Sequence, residues 1–153
     1  MEEVDTEGAR AIVDANSYMT LATAGSDGAP WASPVWFAHE QYATFLWMSR
    51  PGARHSRNIA ARREIAIVIF DSKVSPDKRN AVYVEATASI VPDAELADAV
   101  AVYAARSVAR GLETLARAEV SGDAPFRLYR ASASAMYVLE DDHDRRVGVQ
   151  LAP

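Results

Sequence analysis

Apolar residues along this chain come in short runs separated by polar turns, and their spacing predicts mostly strands with a few helices between them. Residues 5–15 put Ile12 and Val13 on the inner side of a short amphipathic helix that starts near Asp5 or Thr6. YMTLATA at 18–24 has the β-branched and aromatic content of a strand, and GSDG at 25–28 supplies a turn. WASPVWFAH at about 31–39 returns as a second strand. Its Pro34 cannot donate to a ladder, so this stretch is an edge, a bulge or a bend that faces a ligand. ATFLWMS at 43–49 reads as the hairpin partner. RPGAR then breaks the sheet, and 54–63 predicts a short polar helix anchored by Ile59. IAIVIF at 65–70 is apolar at every position, which predicts a strand covered on both faces or one lining a barrel. After a polar loop, 81–91 alternates, with Val82, Val84, Ala86, Ala88 and Ile90 on one face. Leu96, Ala99, Val100 and Tyr103 form the stripe of a helix that Gly111 interrupts before a second segment reaching about residue 118. Two strands, 132–140 and 146–151, close the chain around an acidic DDHD turn.

A doubly wound parallel sheet fits poorly, because the first three strands follow one another without crossover helices. Short strands at close spacing instead predict a mainly β fold, a small barrel with helical insertions. Half of the 153 residues are hydrophobic and 24% are charged, a globular composition. With no repeat, linker or low-complexity tract, it predicts one domain over 1–153. The absence of cysteine removes disulfides, thiol catalysis and cysteine metal sites. A net charge of −5 lacks the basic face of a general nucleic-acid binder. No apolar run reaches the ~20 residues of a membrane span, and the polar, acidic start argues for a cytoplasmic protein without a membrane partner.

Candidate chemistry concentrates in SRPGARHSRN at 49–58. A helix start repels arginine, so Arg54 and His55 there make sense if a bound anion supplies negative charge. A phosphate could accept from the Ser49 hydroxyl, Arg54, His55 and main-chain amides together. The competing reading is a solvated polar helix. His39 reads as a solvent-facing turn residue, and the DDHD turn around His143 directs its side chains apart, against a metal site. Trp31, Trp36 and Trp47 crowd two adjacent strands, as core or interface residues or as a platform for a planar ligand. Glycine-rich phosphate loops and a nucleophile elbow are absent. No residue stands out as a general acid or base.

YMTLATAGSDGAPWASPVWF, FLWMSRPGARHSRNIAARREIAIVIFD and VYVEATASIV, with a closing FRLYR…YVLE…RVGVQL, together resemble the pyridoxamine 5′-phosphate oxidase-like family of FMN-binding split β-barrels, over about residues 16–151. The resemblance implies a six-stranded antiparallel split barrel, a homodimer, and a flavin in the groove between subunits. It places Ser33, Pro34, Val35 and Trp36 along the isoalloxazine ring, largely through main-chain groups. It places Trp47, Met48 and Ser49 at a strand end, with Arg54, His55 and Asn58, around the ribityl phosphate. His55 stands where a lysine is common, and Glu85-Ala86 where many relatives have a glycine. Residues 146–153 lack the Arg-x-His motif that acts on pyridoxamine phosphate, which argues against vitamin B6 oxidation. The implied activity is an FMN-dependent oxidoreductase acting on an unidentified small molecule. The alternatives are an F420-dependent reductase on the same fold and a noncatalytic flavin- or haem-binding protein. The apolar inventory adds to the homodimer expectation: Trp31, Trp36, Phe37, Phe45, Trp47 and the 65–70 strand exceed what a small barrel's interior can take.

Overall fold

The computed structural model describes residues 6–78, 81–140 and 143–153, and their order explains why the sheet curls. The elements are α1 (Thr6–Ala15), β1 (Tyr18–Ala24), β2 (Pro30–Trp36), β3 (Ala38–Glu40), β4 (Thr44–Ser49), α2 (Arg54–Ala61), β5 (Glu64–Phe70), β6 (Ala81–Ile90), α3 (Asp93–Ala109), β7 (Arg127–Glu140) and β8 (His143–Gly148), with a 3-10 turn at Arg117–Val120. The antiparallel sheet runs β2-β1-β5-β6-β7-β4-β3, with β8 also on β7. Its two end strands, β2 and β3, are separated in the chain by Phe37 alone. The ends of the sheet therefore meet, and the result is a barrel split where β2 leaves off and β3 begins.

Alternation fills the interior. Met19 and Leu21, Phe45 and Trp47, Ile65, Ile67 and Ile69, and Val82 and Val84 all point inward and are buried. A bulge between Glu85 and Ala86 leaves Ser134 of β7 unpaired, its hydroxyl donating to the Glu85 carbonyl at 3.1 Å. That extra residue keeps Met136 and Ala131 both facing inward. Ile59 of α2 belongs to this core near one end of the barrel. At the other end Ala9 and Val13 of α1 join it, as does Leu151 beyond the last strand. Arg10 fastens that tail by donating twice to the Leu151 carbonyl, at 2.9 and 2.6 Å.

A second core lies outside the barrel wall. The Leu96, Ala99, Val100 and Tyr103 stripe of α3 is buried as its spacing predicts, against Ala38, Leu46 and Leu128. β4 is consequently the strand covered on both faces, whereas β5 is not: Ala66 and Phe70 are exposed on its outer side. The apolar IAIVIF run thus lines the barrel, because the covering helix packs elsewhere. Gly111 ends α3 in a left-handed conformation (φ 74°), with Leu112 and Gly111 donating to the Ser107 and Val108 carbonyls.

Several boundaries differ from the sequence expectation. The resemblance implies six strands, and the described residues form eight, in part because the 31–39 stretch breaks at Phe37 as it changes partners. β7 begins at Arg127 rather than 132, since it must span both β4 and β6. Only the short 3-10 turn replaces the second helical segment before 118, and Val149–Leu151 is tail rather than strand. Ile90 is exposed at the end of β6, with Val91 buried in its place. Asp141 and Asp142 of the expected DDHD turn lie outside the described residues, as does Asp5.

Leu151 lies outside every strand yet is 1% exposed. Leu151→Ala should therefore cost about 2–5 kcal/mol, as for any buried leucine. Urea denaturation reads this directly, and a change below about 0.5 kcal/mol would show that the tail is not part of the core.

Candidate functional site

β4 ends at Ser49, a turn follows in which the Ala53 N–H donates to the Arg50 carbonyl at 3.1 Å, and α2 starts at Arg54. This connection folds Ser49 back beside the first turn of the helix. Ser49 Oγ and His55 Nε2 share a hydrogen bond of 2.7 Å, and the Ser56 hydroxyl donates to Ser49 Oγ at 3.5 Å. Ser49 and Ser56 are buried and His55 is half-buried. Burial pushes the His55 imidazole below its ordinary value, because a charged ring there loses hydration. Ala53 offers no side chain to cap the helix, and its first turn carries no acid. Ion pairs join His39 to Asp14 and Arg130 to Glu95, both away from this helix. The start of α2 is a cationic helix end with two hydroxyls and an imidazole.

A polar tie anchors it. Asn58 Nδ2 donates to Thr23 Oγ1 at 3.0 Å, and that hydroxyl donates to the Trp31 carbonyl at 3.5 Å. Both Asn58 and Thr23 are buried. The structure thus brings Ser49, Arg54, His55 and Asn58 together, with Asn58 turned toward β1 as the strut of the group. Thr23 is the residue that sequence reasoning left out, and Trp31 was weighed only as one of three tryptophans and not placed beside Arg54. The signal for Thr23 was its place in the Met19, Leu21, Thr23 alternation, a polar side chain on an inward face.

The remaining candidates are arranged differently. β2 is a terminal strand of the sheet path and pairs with β1, so the main chain of Ser33, Pro34, Val35 and Trp36 borders the split. The Val35 side chain points into the barrel, Pro34 is exposed, and Trp36 packs edge-on against Tyr103 at 5.1 Å. Trp47 is fully buried and stacks on Tyr129 at 5.8 Å, and Met48 packs on the α3 core. Their side chains are thus built into the two cores. A cavity of about 390 Å³ adjoins α2 and reaches Ser56, lined also by Pro51, Ile59, Ala60 and Ile90. Another of about 280 Å³ lies on the outer sheet face at Thr20, Ala66, Tyr83 and Tyr137.

His39 is not the solvent-facing residue its sequence position suggests. Its side chain is 13% exposed; Nε2 lies 2.8 Å from Asp14 Oδ1, and Nδ1 accepts the Tyr42 N–H at 3.1 Å. Both ring nitrogens are engaged, and the ring stacks on Tyr42 at 4.4 Å. Partial burial works to raise the Asp14 carboxyl, but hydrogen bonds from Tyr42 and His39 hold it below the usual range. This cluster supports the left-handed turn at Gln41 and Tyr42.

An antiparallel barrel split at the junction of β2 and β3, with helices at its ends, defines the split β-barrel class. The sequence profile of the pyridoxamine 5′-phosphate oxidase family matches residues 5–140, and the chain belongs to that family. Curated proteins give no match. Among solved structures, a haem-binding protein from Mycobacterium smegmatis aligns with a TM-score of 0.74 at 22% identity, over 98% of this chain and 59% of that one. The haem storage protein HutZ from Vibrio cholerae aligns at 0.66 and 21% identity, over 90% and 95%. An F420 reductase aligns at 0.61 and 23% identity, over 89% and 98%. At these identities the likeness is one of fold.

Thr23→Val keeps the shape of the strand but leaves the buried Asn58 amide without its acceptor. It should destabilise the protein by about 1–3 kcal/mol. A thermal or urea transition unchanged from the parent would show that the tie contributes nothing.

Proposed function

We propose that the protein is a cytoplasmic FMN-dependent oxidoreductase acting on a small molecule other than pyridoxamine phosphate. The observation that carries this reading is the Ser49–His55 pair at the uncapped start of α2, beside Arg54 and with no acid in that first turn. A terminal phosphate fits that donor set. The Ser49 and Ser56 hydroxyls can donate to it, Arg54 supplies a fixed positive charge, and His55 supplies one when protonated. Main-chain groups of Ser33–Trp36 would border the ring system at the split, where Pro34 removes one donor. FMN, when bound, supplies the hydride and electron chemistry, so the chain's own task is to bind, orient and exclude water.

A deazaflavin reading has support of its own, since the F420 reductase aligns over most of both chains. Haem binding, which two other neighbours carry in their names, fits His39 and His55 less well: His39 has both nitrogens engaged, and His55 Nε2 is on Ser49. Difference spectra separate the three. FMN should bind with quenched fluorescence and a perturbed two-band spectrum. A single shifted band with F420 and no response to FMN would replace this reading with the deazaflavin one, and a Soret shift alone would replace it with haem binding.

We also propose a homodimer, on different grounds from the apolar inventory. The barrel interior takes Phe37, Phe45 and Trp47 completely, and Trp36 packs on the α3 core. What remains is the outer face of β1, β5 and β6, where Thr20 aligns with Val68 and Val68 with Tyr83, and Ala22 aligns with Ala66. Phe70 adds to it at 46% exposure. A second copy would cover this face, whose small and apolar residues surround a hollow edged by Glu85 and Arg146. Sedimentation at micromolar concentration should give twice the chain mass, and Val68→Asp should shift it toward monomer. A monomeric parent protein would rule the dimer out.

Arg54→Ala should weaken FMN about ten- to a hundredfold, the worth of a charge-assisted hydrogen bond. Riboflavin, without a phosphate, should be little affected, and equal losses would make the cluster structural. The pH dependence follows from His55. Its value is lowered in the free protein, so the ring is uncharged at neutral pH, and a bound phosphate draws a proton onto it. Binding takes up a proton between the lowered free value and the raised bound one. FMN affinity should therefore rise as pH falls toward and below about 6.5, the ordinary histidine value, and fall as pH rises. His55→Lys stays charged across this window and should flatten the profile, as fluorescence titrations at several pH values would show.

A further inference from the structure

We infer that Trp31 is the positioning residue for Arg54, and that through it the site prefers a phosphorylated flavin over a phosphate-free one; this rests on the phosphate reading above. The Arg54 guanidinium carbon lies 4.2 Å above the centre of the Trp31 ring, while the indole is itself 40% exposed. A tryptophan that open to solvent contributes little to either core.

Arg54 is the first residue of α2, where the helix dipole opposes a guanidinium, and an unheld arginine there would spread over many rotamers. Two kinds of partner could restrain it. A carboxylate would neutralise the charge and occupy the N–H groups that a phosphate needs. The face of an indole attracts the cation without consuming those donors. Neighbouring arginines show the contrast: Arg57 donates to the Gly52 carbonyl at 3.1 Å and Arg62 to the Ser26 carbonyl at 3.3 Å. The Trp31 main chain is also linked to α2, through Thr23 and Asn58. Ring and guanidinium are thus carried by elements locked to each other, which makes the geometry reproducible from one binding event to the next.

The test is a double-mutant cycle read with FMN and riboflavin as probes. Trp31→Leu should weaken FMN about two- to fivefold, the range for an exposed cation–π contact, and leave riboflavin unchanged. Trp31→Phe should retain most of the FMN affinity. In an Arg54→Ala background, Trp31→Leu should have no further effect, because the residue through which it acts is gone. Equal losses for FMN and riboflavin, or losses that multiply in the double variant, would overturn the inference while leaving the phosphate reading intact. FMN affinity unchanged by Arg54→Ala, or absent in the parent protein, would overturn the phosphate reading itself and the inference with it.

Discussion

The main chain from Pro30 to Glu40 has to satisfy two partners. Its first seven residues pair with β1 and its last three with β4, and the exchange happens at Phe37. Because hydrogen bonds must be made on both sides of that point, the sheet cannot lie open. The same exchange settles the aromatic residues. Phe37 turns into the barrel, Trp36 turns out against Tyr103, and β2 is left with an edge that no strand of the path covers. Everything proposed about the site depends on that edge and on the strand end of β4 next to it.

α2 sits where these features converge. Ile59 commits one face of the helix to the barrel core, and the Asn58–Thr23 bond fixes its rotation about that contact. With the helix pinned, Ser49 and His55 come within hydrogen-bond distance although six residues separate them. The electrostatic character of this helix end follows from what is missing at its start. A cap or an acid would have satisfied the dipole, and without either the site is receptive to an anion.

Structures of similar fold carry haem-binding and F420 reductase names, so the barrel alone does not fix a cofactor. A fold of this kind leaves the choice of ligand to individual side chains. In this chain the side chains proposed for that role are His55, beside Ser49, and the Trp31 indole beneath Arg54.

The β-rich content, most strand and helix positions, the buried stripe of α3 and the cationic segment at 49–58 were legible in the sequence, because each is a local periodicity or a local charge imbalance. So was the family, through motifs that span most of the chain. The sequence did not reveal the break at Phe37, the early start of β7 or the role of Leu151, which depend on pairing between residues far apart. It likewise left Trp31, Trp36 and Trp47 as one undivided group. Tertiary structure assigned one to each environment, the barrel core, the α3 packing and the open face beside Arg54, because the side of a strand that meets water is decided by what lies across from it and not by the strand itself.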